Sequence, residues 1–123
     1  MKEALSEFVF VYGTLKRGKS AHKFLKDCED FGCHAVKGTM YGVNGVSYPM
    51  IKLSGDSLIH GEIYEVSEET LKVLDRYEGH PHHYKRIETL MLDPGGDSTE
   101  AYAWVYEYQG SVEGLDVITS GVF

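Results

Sequence analysis

Two separated segments of this 123-residue chain hold the groups best suited to chemistry. In the first, Phe8 to Gly18, four apolar residues typical of a buried strand are followed by Tyr12-Gly13-Thr14. A strand that ends in a glycine-containing turn presents unpaired backbone N–H groups, which can bind a carboxylate, a phosphate or a developing oxyanion. This pattern is common by itself. It becomes specific when it is combined with the second segment, Leu74 to Gly79.

Glu78, in the second segment, is the candidate for proton transfer. It lies at the C-terminal end of a predicted helix, directly before Gly79, where the negative end of the helix dipole disfavours a charged carboxylate. Its pKa is therefore predicted to be raised, and burial would bring it to the range used in acid–base catalysis near neutral pH. From position alone, a solvated glutamate before a helix-ending glycine is the simpler interpretation.

The segment His80-Pro81-His82-His83 places three histidines within four residues, which suggests a cation site. No second pair of ligands stands at a characteristic spacing, so an exposed polar loop is the favoured interpretation and no metal is predicted. The spacing of Cys28 and Cys33 matches neither a zinc nor a redox motif, and the two are predicted to be reduced, packed thiols.

Basic and aromatic residues near the two segments are further candidates. The pair Lys16-Arg17 follows the glycine turn and would either steer an acidic substrate or remain solvated. The pair Lys85-Arg86 begins a later strand, where one side chain is expected to face a pocket. Trp104 and Tyr106 are two residues apart and therefore share one face of a strand. Trp104 is expected in the core, whereas the Tyr106 hydroxyl is equally suited to a pocket.

Composition bounds the class of protein. A chain with 42% hydrophobic and 25% charged residues is typical of a folded domain, and the length fits a single one. The formal net charge of −7 argues against nucleic acid and against an anionic membrane surface as partners. The first residues lack the apolar core of a signal peptide and no apolar run has the length of a membrane span, so a cytoplasmic location is expected.

The elements that position these residues follow from periodicity and from breakers. Two short helices are predicted, and the first runs from Ser20 to about Asp27. The second is capped by Ser67 and ended by Gly79, and it is predicted to bury Leu71, Leu74 and Tyr77. Strands are predicted at Phe8 to Val11, Ala35 to Val43 with interruptions at Gly38 and Gly42, Pro49 to Leu53, Leu58 to Val66, Tyr84 to Leu92 and Glu100 to Tyr108.

These elements predict an α+β fold with a small, mixed but mostly antiparallel β-barrel and two short helices, because glycines occur within several strands. The turn at 93–97 is predicted to join the last two strands as an antiparallel hairpin. The prediction is a single domain over residues 1–123, with its core at about 8–108 and a loose C-terminal tail from Gln109 onward.

Four motifs, in their order and spacing, resemble those of the γ-glutamylcyclotransferase-like family, and more closely its short γ-glutamylamine cyclotransferase and AIG2-like branch. The resemblance runs from about Phe8 to Tyr108. The motifs are Val11-Tyr12-Gly13-Thr14-Leu15-Lys16-Arg17-Gly18, Gly61-Glu62-Ile63-Tyr64-Glu65-Val66, Leu74-Asp75-x-x-Glu78-Gly79-x-Pro81-x-x-Tyr84-x-Arg86 and Ala103-Trp104-Val105-Tyr106.

The resemblance implies a compact barrel with a pocket at the glycine turn and a γ-glutamyl small molecule as substrate. It implies that Glu78 is the catalytic acid and base, and that no cofactor or metal is needed. The substrate would be bound by the backbone of the turn residues Tyr12, Gly13, Thr14 and Leu15. It would also be bound by three later side chains, those of Tyr84, Arg86 and Tyr106. One departure is the pair Ala21-His22, which stands where the family often has Asn-His.

In the implied reaction, the substrate's own α-amine attacks the side-chain carbonyl, closes the 5-oxoproline ring and expels an amine. One carboxylate can then carry the proton from the attacking nitrogen to the leaving nitrogen. Two alternatives remain: a non-catalytic small-ligand module on the same barrel and, more weakly, a metal-dependent hydrolase built on the histidine loop. The position of Glu78, in the pocket or facing solvent, distinguishes the enzyme from the non-catalytic module. The leaving amine, which would lie toward the loops at 42–47 and 80–83, and the oligomeric state are left open.

Overall fold

A computed structural model describes residues 6–42 and 48–123. Five strands close a barrel in the order β1-β5-β2-β6-β7, and three form a second sheet in the order β4-β3-β8. Strands β1 and β7 pair in parallel and close the barrel, whereas its other pairs are antiparallel. This confirms the predicted barrel. The strands are β1 (Ser6–Val11), β2 (Glu29–Lys37), β3 (Thr39–Gly42), β4 (Met50–Lys52), β5 (Leu58–Ser67), β6 (Tyr84–Leu92), β7 (Ser98–Tyr108) and β8 (Asp116–Val117).

Strand β1 is buried on both faces, which explains its continuous apolar sequence. Val9 and Val11 belong to the core cluster that also includes helix residues, whereas Phe10 packs in a second cluster formed mainly by strand residues of the barrel and of the second sheet. Successive side chains of a strand point to opposite faces, so a strand between two cores needs apolar residues at every position. Phe8 is the exception, because it is 38% exposed and packs edge-on against Phe31.

Helix α1 (Glu68–Glu78) begins and ends as predicted. The Ser67 hydroxyl accepts a hydrogen bond from the Thr70 N–H at 3.1 Å, and Gly79 takes the left-handed conformation at φ 67° that ends the helix. No helix among the described residues has the length and apolar character needed to cross a membrane.

The buried face of α1 differs from the prediction at one position. Leu71 and Leu74 are buried, but Tyr77 is 44% exposed. Each step of three residues turns about 60° away from the starting direction in a helix of 3.6 residues per turn, so Tyr77 has rotated off the face. Glu78, seven residues after Leu71, returns to within about 20° of its direction. The carboxyl group therefore continues the apolar stripe.

The other predicted helix is shorter and of a different type. Instead of an α-helix from Ser20 to Asp27, the chain forms a 3₁₀ helix at His22–Leu25, preceded by Ala21 and without a side-chain cap. Because β2 already starts at Glu29, few residues remain to propagate an α-helix after its costly first turn.

Gly38 divides the predicted strand at 35–43 into β2, in the barrel, and β3, in the second sheet. A Cβ at this position would overlap the Lys52 carbonyl oxygen and come within 2.9 Å of Ile59 Cδ1. Only glycine therefore allows the chain to leave the barrel here. The last predicted residue of that strand, Val43, lies outside the described residues.

The C-terminal tail is not loose, contrary to the prediction. Strand β8 pairs with β3, and the Ile118 N–H donates to the Met40 carbonyl at 2.8 Å. The His60 N–H donates to the Gly121 carbonyl, also at 2.8 Å, and Phe123 packs against the core. The glycines of the tail thus belong to turns that return the chain to the barrel.

Candidate functional site

One cavity opens where β1 ends, between the C-terminal end of α1 and the β6–β7 hairpin. All predicted site residues except Arg86 line it, although they come from four separate parts of the chain. The turn after β1, the end of α1, β6 and β7 contribute Tyr12, Gly13, Thr14, Leu15, Glu78, Tyr84 and Tyr106, and the wall is completed by Phe10, Val11, Tyr48 and Pro49.

The turn after β1 offers backbone donors to this cavity. Within the part of the chain that the structure describes, the N–H groups of Gly13, Thr14 and Leu15 have no protein acceptor. The carbonyls of the same residues are all engaged, since they accept from the Lys16 N–H at 3.0 Å, the Ala21 N–H at 2.9 Å and the His22 ring at 2.9 Å. A turn whose carbonyls are bound to protein and whose N–H groups are not can bind an anion or an oxyanion.

The pair Ala21-His22, which departs from the family pattern, supports this turn. The Ala21 N–H and the His22 Nδ1 each bond one of its carbonyls, and the His22 ring packs against Tyr64 at 5.5 Å between centroids. The sequence does not reveal this contact, because nothing local predicts which carbonyl a histidine will reach.

Gly13 is required by a close approach rather than by its backbone angle. It is not among the residues with positive φ, but a Cβ at this position would stand 2.8 Å from Pro49 Cδ and 2.9 Å from Pro49 Cγ. The glycine therefore lets the turn lie against the segment before β4, which forms the opposite wall of the cavity.

Glu78 faces the cavity from the last residue of α1 and is half-buried. Burial raises its pKa from an ordinary 4.5 to about 7, because a charged carboxylate loses hydration there. The direction agrees with the prediction, but removal from water is the cause rather than the helix end. The carboxyl group can therefore take up and release a proton near neutral pH.

Three tyrosines around Glu78 direct their hydroxyl protons into the protein. Tyr12 donates to the Tyr106 carbonyl at 2.5 Å, Tyr84 to the Pro49 carbonyl at 2.9 Å, and the Tyr106 hydroxyl to Asp75 Oδ1 at 2.7 Å. Burial raises the pKa of each tyrosine, and the negative charge of Glu78 raises it further. All three stay neutral, so Glu78 is the group among the described cavity residues that titrates near pH 7.

Arg86, which is predicted to bind substrate, does not line the cavity. Its Nε and Nη2 donate to the two carboxylate oxygens of Asp75 at 2.7 and 3.1 Å, and its Cζ lies 4.5 Å from the centre of the Trp104 ring. Arg86 is paired with Tyr106 across the β6–β7 ladder. It therefore reaches the cavity only through Asp75, which also accepts the Tyr106 hydroxyl.

Asp75, Arg86 and Tyr106 form a group that we call the clamp. Burial alone would raise the pKa of Asp75, but the hydrogen bonds from Arg86 and Tyr106 outweigh it and lower the pKa. The ionised Asp75 thus ties α1 to β6 and β7 one helical turn before Glu78. Two features of the sequence bear on the clamp: the spacing of three residues between Asp75 and Glu78, and the hairpin that pairs Arg86 with Tyr106. Neither feature by itself predicts that Asp75 contacts Arg86 and Tyr106.

The basic pair beside the turn also points elsewhere. Lys16 Nζ donates to the Phe123 main-chain oxygen at 2.9 Å, and Arg17 forms an ion pair with Asp30. Neither residue lines the cavity. Trp104 packs at the core as expected, and its ring N–H donates to Glu7 at 3.1 Å.

The histidine loop contributes packing and hydrogen bonds. His80 Nδ1 accepts the Arg86 N–H at 3.1 Å, and the His83 ring packs against Tyr84 and Tyr108. Among residues 6–42 and 48–123, no group of three or more histidine, cysteine or acidic side chains is arranged to hold a metal ion. Cys28 and Cys33 are free thiols.

A wider opening, which we call the mouth, continues from the cavity to the surface. Thr14, Tyr48, Glu78 and Tyr84 line both spaces, and the mouth adds Ser20, Tyr77 and His83. No motif in the sequence marks Tyr48 or Tyr77 as a site residue. The loop at 43–47, predicted to lie near the leaving group, is outside the described residues.

Residues 9–123 match the family described as gamma-glutamyl cyclotransferase, AIG2-like. The chain is 41% identical to a putative gamma-glutamylcyclotransferase of Methanocaldococcus jannaschii, over 85% of this chain and 87% of that protein. It is 34% identical to the gamma-glutamylaminecyclotransferase of Rattus norvegicus, over 80% of this chain and 75% of the relative. The crystal structure of an AIG2-like protein from Mus musculus superposes with a TM-score of 0.78 at 27% identity, covering 96% of this chain and 88% of that one.

Proposed function

The chain belongs to the AIG2-like gamma-glutamyl cyclotransferase family, and on that premise we propose that it converts a γ-glutamyl amine, or a related γ-glutamyl compound, to 5-oxoproline and a free amine. The proposal is carried by one observation: a carboxyl group with a pKa of about 7 lines the same cavity as a turn whose N–H groups have no acceptor among residues 6–42 and 48–123. Cyclisation needs both, a proton carrier and a site for the developing oxyanion.

In the first step, the substrate's α-amine attacks its own side-chain carbonyl carbon. A C–N bond forms, the carbonyl π electrons move to oxygen, and the resulting oxyanion accepts hydrogen bonds from the N–H groups of Gly13, Thr14 and Leu15. The ionised Glu78 takes one proton from the attacking nitrogen. Because the nucleophile is tethered to the carbonyl, the protein's main task is to hold the folded conformer in which the two atoms meet.

In the second step, the oxyanion re-forms the carbonyl and the original amide C–N bond breaks. Glu78 returns its proton to the departing nitrogen, so that the amine leaves neutral and the carboxylate is restored. One group performs both transfers, which requires a pKa near the working pH. The neutral tyrosines around Glu78 exclude water and provide oxygen lone pairs for the polar groups of the glutamyl moiety.

The alternative of a non-catalytic binding module is disfavoured by the position of Glu78. A module that only binds a small ligand gains nothing from a buried carboxyl group whose charged form is destabilised by burial. Acid–base chemistry benefits from the same property, because the group exchanges its proton near neutral pH.

Isotope labelling tests the reaction. Incubation of γ-glutamyl-cadaverine in ¹⁸O-labelled water should yield unlabelled 5-oxoproline and no glutamate, since the attacking atom is the substrate's own nitrogen. The N-acetylated α-amine analogue is the matched control and should be inert. Labelled glutamate as the main product would overturn cyclisation in favour of hydrolysis, and absence of turnover on every γ-glutamyl amide would support the binding module.

A further inference from the structure

Glu62 connects strand β5 to the turn after β1 although it lines neither the cavity nor the mouth. In the antiparallel ladder it is paired with Val11, the last residue of β1, so it lies where the turn begins. Its Oε1 accepts the Arg17 N–H at 2.9 Å and the Tyr64 hydroxyl at 2.8 Å. Any role of Glu62 in the reaction would therefore be exerted through these two contacts.

The contact with Tyr64 reaches the turn a second time. Tyr64 is buried, and its ring packs against the His22 ring with 5.5 Å between centroids. The His22 Nδ1 in turn donates to the Leu15 carbonyl at 2.9 Å. Glu62 thus holds the chain just after the turn directly at Arg17, and it supports the Leu15 carbonyl through two packed rings. We call Glu62, Tyr64 and His22 the brace.

The planarity of the peptide bonds connects the brace to the N–H donors. The peptide bonds of the turn are trans, so the carbonyl of one residue and the N–H of the next point in opposite directions. The bond from His22 to the Leu15 carbonyl therefore directs the Lys16 N–H, which donates to the Gly13 carbonyl at 3.0 Å. That bond in turn directs the Thr14 N–H, one of the donors that have no acceptor among the described residues.

The loop that contains these donors has little regular structure of its own. Between the end of β1 at Val11 and the start of β2 at Glu29, the chain forms only the 3₁₀ helix at His22–Leu25. Donors stabilise an oxyanion best when they are fixed before the reaction, because reorienting them during the reaction costs free energy. The contacts of the brace with β5, a strand of the barrel, supply the rigidity that the loop lacks.

We propose that Glu62 is a positioning residue for the reaction: through the brace and the Arg17 N–H, it directs the N–H groups of the turn toward the developing oxyanion. The inference rests on the proposed function and extends it to a residue outside the cavity. Because the oxyanion exists only after the α-amine has attacked, misdirected donors destabilise the transition state more than the bound substrate. Loss of the brace should therefore lower kcat and leave KM nearly unchanged.

Two substitutions of Glu62 test this role with γ-glutamyl-cadaverine as substrate. Glu62→Ala removes the acceptor, and we expect kcat to fall about tenfold or more while KM stays within about threefold. Glu62→Gln keeps an oxygen that can accept from both donors, so its kcat should stay within about threefold of the unaltered value. The acidic limb of the pH profile should remain centred near 7 in both variants, since Glu78 is unchanged.

The matched control is Glu65→Ala, on the opposite face of the same strand, which should behave as the unaltered protein. An equal loss of kcat in Glu62→Gln, or a rise in KM at unchanged kcat in Glu62→Ala, would overturn the positioning role.

Tyr64→Phe is a milder test, because it removes only the hydroxyl that Glu62 accepts and keeps the ring against His22. We expect kcat to fall about threefold at unchanged KM. In the double variant with Glu62→Ala, the loss should equal that of Glu62→Ala alone, since both changes interrupt the same connection. Fully additive losses would show that the two residues act independently and would overturn the brace.

Amide hydrogen exchange tests the brace without reference to activity. In Glu62→Ala, the N–H groups of Lys16 and Arg17 should exchange about tenfold faster or more, whereas that of Leu74 in α1 should be unchanged. Unaltered protection of both loop amides would overturn the brace even if turnover fell. Faster exchange in a protein that converts no γ-glutamyl amide would instead confirm the contacts and overturn the proposed function, and the positioning role with it.

Discussion

The cavity and its mouth are built on different principles, although they share a wall. In the cavity, Tyr12, Tyr84 and Tyr106 are at most 7% exposed, and each hydroxyl donates to a protein oxygen. At the mouth, Tyr48 and Tyr77 are more than 40% exposed. On the proposed function, the fixed groups of the cavity suit the glutamyl moiety, which is the same in every substrate. The open rings of the mouth suit the leaving amine, which can vary.

This contrast predicts that cavity variants lower turnover for every leaving group, whereas mouth variants change the ranking of leaving groups. The largest effect is expected for Glu78→Gln, which keeps the side-chain shape but cannot carry a proton. We expect kcat to fall by a factor of about 100 or more for every leaving group. Steady-state release of 5-oxoproline measures it. Near-normal turnover in a folded Gln variant would remove Glu78 from the mechanism.

The same variant has a stability signature that serves as its control. Glu78 ionises at about 4.5 in the unfolded chain but only at about 7 in the folded one, so unfolding between these pH values releases a proton. The unaltered protein therefore loses stability as the pH rises through this window, on the order of 1–3 kcal/mol in total. The Gln variant should not lose it, so urea unfolding at pH 5 and pH 8 should find its relative stability increased at pH 8.

The second prediction concerns the wall of the cavity at Gly13. In Gly13→Ala, the Cβ would push against Pro49 and displace the N–H donors. We expect kcat/KM to fall on the order of thirtyfold, equally for all leaving groups. Gly95→Ala, in the exposed hairpin turn and also without positive φ, is the control and should retain activity. Unchanged kinetics in Gly13→Ala would mean that the turn has only a structural role.

The third prediction is the pH profile. The base form of Glu78 is needed to start the reaction, and burial has raised its pKa to about 7. Activity should therefore fall about tenfold for each unit of pH below 7, whereas an ordinary glutamate would remain active to about pH 5. A profile of kcat/KM against pH between 5 and 9 measures the midpoint. If activity fell only below about pH 4.5, the raised pKa of Glu78 would be contradicted.

The fourth prediction tests the clamp, in which Asp75 and Arg86 lie outside the cavity and hold Tyr106 in its wall. Arg86→Lys keeps the charge and loses the paired contact with both oxygens of Asp75. We expect kcat to fall about five- to tenfold for every leaving group, because Tyr106 and the end of α1 are held less firmly. Lys85→Arg, on the opposite face of β6, is the control. A change in leaving-group ranking instead of kcat would assign Arg86 to the mouth.

The smallest effect is expected from metal removal. The proposed proton transfers use Glu78 and the backbone of the turn, and His80 and His83 are already engaged in protein contacts. Dialysis against EDTA should leave kcat/KM within about twofold. Loss of activity that zinc or manganese restores would revive the hydrolase interpretation of the histidine loop.

The sequence was informative wherever short-range physics decides the outcome. The Ser67 cap, the Gly79 stop and the turn at 93–97 follow from backbone preferences of a few neighbouring residues, and the structure has each of them. The continuous apolar stretch at the end of β1 likewise predicted a strand buried on both sides. The barrel was predicted from glycines within strands and from the family resemblance, and its closure is confirmed.

The structure departs from the predictions where distant parts of the chain meet. Arg86 was expected to face a pocket, but it is directed toward Asp75, which the packing of α1 on the hairpin brings close to it. The tail was predicted to be loose because of its glycines, but β3 provides a free edge for β8. The 3₁₀ helix replaced an α-helix because of where β2 begins.

By itself, the sequence determined most strands of the barrel, both ends of α1 and the two motifs, because hydrogen bonding and periodicity act within a few residues. Only the tertiary structure decided that Glu78 lies half-buried beside the turn after β1, that Arg86 pairs with Asp75, and that Tyr48, Tyr77 and His83 meet at one opening. Barrel closure and strand register create these contacts, and with them the loss of hydration that raises the pKa of Glu78. The pKa of a side chain depends on which distant surfaces pack around it and exclude water, and no local sequence pattern encodes this packing.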